Sequence, residues 1–237
     1  MRNLATFCIK TIHRPQCCAS LVRSICHYCK DERPVIHVLD DGMPELRFRT
    51  HFPEEAAMAD KIIETEYDIG LSAGRNRLLD MATTPFVFFA DDDHQVTKRT
   101  HLRGLVDELI KNEQIDLLAT LSSNVGRPRL LKVEGRTLRI PRGFYHASGP
   151  LRWCHFVSNC FVAYRDILSA VRWDETLKME EHWDFFWRAK LAGVKVAVNV
   201  ARSFRHRHID PPGYHRRRPE FRRASLKKHG LKRVIWH

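Results

Sequence analysis

Three consecutive carboxylates, Asp91-Asp92-Asp93, follow directly on the most strand-like apolar run of the chain, Pro85-Phe-Val-Phe-Phe-Ala90. Negative charge delivered to the rim of a low-dielectric core is poorly hydrated and repels itself, so such a cluster calls for a cation. In extended backbone, residues i and i+2 project to the same side, which puts Asp91 and Asp93 on one face and Asp92 on the other. Two carboxylates on one face suit Mg²⁺ or Mn²⁺, hard ions that complete their shells with water and substrate phosphate. Taken alone, an acidic tripeptide reads more simply as a solvated turn before the next helix. Here a second acidic pair, Asp40-Asp41, ends the strand-like Pro34-Val-Ile-His-Val-Leu39, and Thr11 ends another apolar run.

The elements that must position these groups alternate. Residues 4–11, 34–39, 61–65, 85–90 and 117–121 read as strands, the third weakly. Helical stretches are expected from Pro15 to about Cys29, from about Gly74 to Met81, and through Leu102, Leu105, Val106, Leu109 and Ile110. That order predicts an α/β fold with a mostly parallel central sheet and helices on both faces, where ligands bind beyond the carboxyl ends of the strands. In the second half, Glu134-Gly135 between residues 130–133 and 137–140 signals a hairpin. Residues 153–164 read as one long aromatic-rich strand, 183–191 as a helix and 195–200 as the final strand. With no Gly/Ser linker and no repeat, one domain is expected. Its parts are a first half over 1–122, a second half of different character over 123–208 and a basic tail over 209–237.

The 237 residues, 43% of them hydrophobic, suffice for a large core. No run approaches the roughly 20 apolar residues of a membrane span. Met1-Arg-Asn-Leu4 leads straight into a strand, so no signal peptide is expected and a soluble cytoplasmic protein is the default. Seven cysteines do not make a secreted disulfide framework. Cys26-His-Tyr-Cys29 has zinc spacing but lacks a second ligand pair, so plain thiols are expected. The net charge of +12 is concentrated at one end. From Arg202 onward, twelve Lys/Arg face Asp210 and Glu220, a balance of +10 that leaves +2 for the rest. Such a stretch can meet an anionic membrane surface, an acidic polysaccharide or nucleic acid, or form a solvated helix. Nucleic acid is disfavoured because stacking aromatics do not interleave with the basic residues.

Taken in order, Thr11-Ile-His-Arg-Pro15, Leu39-Asp-Asp-Gly42, Gly74-Arg-Asn76 and Asp91-Asp-Asp93 resemble the nucleotide-sugar half of a GT-A glycosyltransferase. The likeness is to family 2 enzymes and the related β-1,4-N-acetylgalactosaminyltransferases. Residues 153–165 and Glu181-His-Trp-Asp-Phe-Phe-Trp-Arg188 are similar to the acceptor-side strand and acidic helix of those enzymes. The resemblance implies a metal-dependent, inverting transfer of a hexose or N-acetylhexosamine from a UDP-sugar to a glycan, polysaccharide or lipid-linked acceptor. A sugar nucleotidyltransferase, the main enzymatic alternative, needs a Gly-rich loop after the first strand, and no glycine precedes Gly42. A polyanion-binding module built on the basic end is the non-enzymatic alternative.

By that resemblance Asp40, next to Asp41, receives the uracil imide, while Thr11 and His13 wall the base and ribose. Arg75, at an expected helix start, meets phosphate. Asp91 holds ribose or a metal-bound water, with Asp92 beside it. Asp93 binds Mn²⁺ or Mg²⁺, and His206, in preference to His208, completes the metal shell. The base that deprotonates the acceptor is Asp184 or Glu181, with Glu180 a third carboxylate in range, and His182 stands where the family pairs a second acid. Trp153, His155, Asn159, Trp183 and Trp187 are candidate acceptor contacts. Residues 67–73 and 143–150 are candidate lids.

Overall fold

The computed structural model describes residues 4–123, 127–207, 209 and 214–236. The strands are β1 (Ala5–Thr11), β2 (Val35–Asp40), β3 (Lys61–Glu64), β4 (Phe86–Asp91), β5 (His94–Gln95), β6 (Leu117–Ser122), β7 (Lys132–Glu134), β8 (Thr137–Ile140), β9 (His146–Ser148), β10 (Leu151–Cys154), β11 (Cys160–Tyr164), β12 (Val196–His206) and β13 (Arg233–Trp236). The helices are α1 (Pro15–Tyr28), α2 (Phe48–His51), α3 (Pro53–Ala56), α4 (Leu71–Met81), α5 (Leu102–Lys111), α6 (Arg165–Val171), α7 (Glu181–Leu191) and α8 (Arg218–Lys228).

The main sheet runs β3-β2-β1-β4-β11-β6-β12-β10-β9, with β5 pairing on β12. Along that path only β11 and β10 oppose the common direction. The mostly parallel α/β reading therefore holds. The central strands are apolar almost throughout because helices cover both faces. Phe7 and Ile9 of β1 and Phe88 of β4 pack with Leu21, Ile25, Leu105 and Leu109 of α1 and α5. Cys8, Val87 and Phe89 point the other way, onto Leu78 and Leu79 of α4 and Phe185 and Phe186 of α7. Phe7 and Phe88 stack at 5.4 Å on adjacent strands. Pro15, whose missing N–H costs nothing in a first turn, opens α1 directly beyond the tip of β1.

Three expected boundaries move. The 153–164 segment is two strands in different places: β10 lies beside β12, whereas β11 is inserted antiparallel between β4 and β6. The break serves the chain crossing, where Phe156 bridges Arg129 and the Asn159 carbonyl accepts from the Asp91 N–H at 3.2 Å. Helix α4 starts at Leu71, one turn before Gly74. The expected last strand continues past an irregularity between Asn199 and Ser203 to His206, and β13 follows it.

The basic C-terminal stretch folds onto the rest. β13 adds in parallel to β8 of a three-stranded sheet, and α8 buries Phe221, Ser225 and Leu226. All seven cysteines are free. No helix of the described residues is long and apolar enough to cross a membrane.

Candidate active site

A cavity of about 490 Å³ opens beyond the carboxyl ends of β1 and β4. Its remaining walls come from residues 67–71, the approach to α7 and α8. Seven lysines and arginines line it against five carboxylates, an excess of positive charge suited to a diphosphate.

The Gly74-Arg-Asn76 motif shows how local sequence builds a wall. A Cβ on Gly74 would sit 2.8 Å from Cγ of Lys10, so only glycine lets α4 lie this close to β1. The Asn76 amide clamps Trp173 by two bonds of 2.9 Å, to its carbonyl and from its N–H. Between them Arg75, buried, reaches the cavity and holds both Asp91 (2.8 Å) and Glu181. Because α4 begins at Leu71, Arg75 lies inside the helix, not at its start. At the start of α4 the Gly70 N–H is bonded to Asp41 and the Leu71 N–H to the Lys178 carbonyl.

The acidic tripeptide alternates as its strand requires. Asp91 and Asp93 line the cavity, and Asp92 turns inward, wholly buried. Burial pushes the Asp92 carboxyl up to about 6, against the Arg14 charge and a 2.7 Å bond from Thr11. Thr11 therefore does not wall the cavity. Arg14 also reaches Asp93 at 3.1 Å, and His206 Nε2 lies 3.4 Å from the same oxygen. Burial would raise the Asp93 carboxyl, but His206, Arg14 and His94 together hold it below its usual range. The bond with Asp93 raises His206. Asp93 Oδ1 is buried with no hydrogen-bond partner among the described residues. No group of three or more His, Cys, Asp or Glu able to hold a metal is found among them. His208 lies outside them.

Asp40 and Asp41 sit behind the wall. Asp40 accepts from Gly42 N–H (2.8 Å) and Phe48 N–H (2.7 Å), so both oxygens fold the following loop and the carboxylate does not face the cavity. Asp41 pairs with Lys10, which does face it. His13 lines the cavity in left-handed backbone (φ 56°) and stacks on the half-exposed ring of Tyr67 at 5.4 Å.

The acidic helix divides its carboxylates. Glu181 is its first residue and faces the cavity beside Arg75. Asp184 is wholly buried on the α8 side, bonded by Arg188 (2.9 Å), Lys228 (3.0 Å) and His229 (2.6 Å). Burial opposes its ionisation, yet His229 and the two cations bring its carboxyl down to about 2. Glu180 lies outside the helix in left-handed backbone and pairs with Arg222 at 3.0 Å. His182 Nε2 lies 2.7 Å from the Val157 carbonyl, and burial lowers the ring to about 4.

Of the acceptor candidates, Asn159 and Trp183 reach the cavity. Trp153 is buried and bonds the Gln114 carbonyl, His155 stacks on Tyr145, and Trp187 lies under Lys190. Residues 67–71 flank the opening, while 143–150 belong to the far edge of the sheet at β9. Sequence reasoning missed Lys10, Arg14, Lys178, Arg217, Arg218, Arg222 and Trp236 in the lining. Arg14 had a signal, its place right after a strand tip; the last four lie in a stretch read as a tail.

Residues 6–171 match the sequence profile described as glycosyl transferase family 2. The chain belongs to this family. It is 30% identical over 192 residues to mouse β-1,4 N-acetylgalactosaminyltransferase 2, covering 78% of this chain and 36% of the relative. It is 33% identical over 131 residues to human β-1,4 N-acetylgalactosaminyltransferase 1, covering 49% of this chain and 24% of that one. The family 2 chain thus spans about a third or less of these relatives' length. Among solved structures, S. aureus TarS 1–349 superposes with a TM-score of 0.63 at 15% identity, over 86% of this chain and 60% of TarS. The TarS complex with UDP-GlcNAc gives 0.63 at 16%, over 87% and 60%. The fold is that of the GT-A glycosyltransferases.

Proposed function

We propose that this family 2 chain moves an N-acetylhexosamine or hexose from a UDP-sugar, with inversion, to a hydroxyl of a glycan or lipid-linked acceptor. One observation carries the reading. Arg75 bridges Asp91 and Glu181, so a donor-side carboxylate and a candidate base flank one space beyond the sheet. The names of the curated relatives favour N-acetylgalactosamine as the sugar, and the ligand in the TarS complex favours a uridine donor.

The stacked His13 and Tyr67 offer the nucleobase an aromatic surface, and Lys10, Arg75 and Lys178 offer the diphosphate charge. Glu181 takes the proton of the acceptor hydroxyl as its oxygen attacks the anomeric carbon. The bond from that carbon to the diphosphate breaks on the opposite face, and the nucleotide leaves with the electron pair. The donor set fits a divalent ion of the kind that takes one or two carboxylates and fills its shell with phosphate and water. Asp93, through the oxygen that accepts no hydrogen bond, and Asp91 would hold Mn²⁺ or Mg²⁺, with His206 and His94 beside them. When bound, the ion supplies Lewis-acid stabilisation of the departing diphosphate. Contact with an anionic membrane would fall to Arg216, Arg223 and Lys227, which are exposed.

The test is a thermal-shift panel of UDP-, GDP- and dTDP-sugars with and without Mn²⁺, followed by hydrolysis of the stabilising donor. Stabilisation by a UDP-sugar, and hydrolysis lost in Glu181→Gln, support the reading. No response to any donor, or full hydrolysis by Glu181→Gln, refutes it.

A further inference from the structure

Arg14 reaches the carboxylates of two members of the acidic tripeptide. Its Nη2 meets Asp92 Oδ1, and its Nη1 meets Asp93 Oδ2 at 3.1 Å and the Ile209 carbonyl at 2.6 Å. The guanidinium side chain is four-fifths buried, Asp92 is fully buried, and Asp93 is nearly so. Arg14 also lines the cavity, so its charge is shared between the carboxylates and whatever enters. This arrangement supplies the cation that three adjoining carboxylates demand, and it does so from within the chain.

We propose that Arg14 is a resident counter-cation that makes divalent-metal binding at Asp93 depend on the nucleotide. The inference rests on the metal part of the function proposed above. In the free protein the guanidinium and His206 sit on one Asp93 oxygen, His94 Nδ1 lies 3.6 Å from the other, and of these only the guanidinium is a fixed positive charge. A second cation entering there is repelled at close range in a medium that screens poorly. A diphosphate in the cavity brings negative charge to the same guanidinium and offsets that repulsion. Metal affinity is then low without nucleotide and rises with it. A purely structural role for Arg14 predicts the opposite response to its removal, since a loosened site binds metal less well.

The experiment titrates Mn²⁺ alone, then Mn²⁺ with UDP, into the full chain and reads free Mn²⁺ by electron paramagnetic resonance. Asp93→Asn serves as the control for the site. Arg14→Gln is expected to bind Mn²⁺ about tenfold or more tightly than the unmodified protein without UDP, and to lose most of the gain that UDP confers. Arg14→Lys keeps the charge and should keep the nucleotide dependence. Arg14→Gln leaves buried Asp92 without its cation and can fail to fold. The double variant Arg14→Gln/Asp92→Asn removes that orphan and carries the same expectation. If the unmodified protein with UDP binds Mn²⁺ through Asp93 but neither variant binds it more tightly without UDP, the Arg14 inference is overturned and the metal reading stands. If no protein binds Mn²⁺ through Asp93 under any condition, both fall.

Discussion

Replacing Asp184 by Asn separates the two candidate bases. Asp184 has no exposed surface, does not face the cavity, and is bonded by Arg188, Lys228 and His229. Its carboxyl is held at about 2 against an ordinary 3.8. Because the folded value lies below the unfolded one, the ionised group stabilises the native state at every pH above its ordinary value. That contribution is lost as pH falls through the folded value. The depression corresponds to about 2 kcal/mol at neutral pH. Asn keeps one acceptor oxygen and drops the charge, so urea denaturation at neutral pH should show a loss of about 2–3 kcal/mol. For a domain of this size that lowers the melting temperature by about 4–12 °C. The gap to the unmodified protein should narrow below about pH 4, as Asp184 itself protonates. Turnover of the donor, measured well below the melting transition, should stay within about threefold, since the carboxylate touches nothing in the cavity. A variant of unchanged stability whose turnover falls a hundredfold would show that Asp184 is the base and that the division of carboxylates along α7 is misread.

Glu181→Gln should behave in reverse, with transfer reduced by about 10²–10⁴-fold and UDP affinity intact; single-turnover kinetics beside UDP calorimetry read this directly. Tyr67→Ala removes a half-exposed ring and should weaken UDP binding by about tenfold with no change in melting temperature, a fold change set by one stacking contact of about 1–1.5 kcal/mol. Asp40→Asn cannot accept from both Gly42 and Phe48 N–H groups without turning its amide toward one of them. It should cost about 1–3 kcal/mol of stability. If it instead abolished UDP binding at full stability, direct recognition of the base by Asp40 would be restored. Leu226→Asp puts a charge under α8 and should unfold the C-terminal unit, exposing the α7 face that Lys228 and His229 cover; proteolysis between residues 207 and 218 reads it.

How much was legible follows from the range of the interactions involved. Alternation along one strand is local, so the inward Asp92 and the cavity-facing Asp91 and Asp93 could be read from spacing, and so could the parallel sheet from alternating elements. Arg75 and His13 were legible because each stands within a few residues of a strand tip or helix turn that delivers it. The ambiguity between Glu181 and Asp184 was not resolvable, because both lie within one helical turn and only α8, arriving from more than forty residues away, occupies the face of one of them. The split of residues 153–164 was hidden for a related reason. An apolar, aromatic run satisfies strand propensity wherever it goes, and only partner strands decide that β10 and β11 part company.

By itself, then, the order of residues determined the element types, the face each acid takes on its own strand and the family to which the chain belongs. Tertiary structure alone decided that Glu181 reaches the cavity while Asp184 and Asp40 do not, because that depends on which distant groups claim them. His229 and Lys228 claim Asp184 and backbone N–H groups claim Asp40, whereas Glu181 lines the opening beside Arg75. A buried charge must be paired somewhere, and the pairing partner is a property of the folded packing.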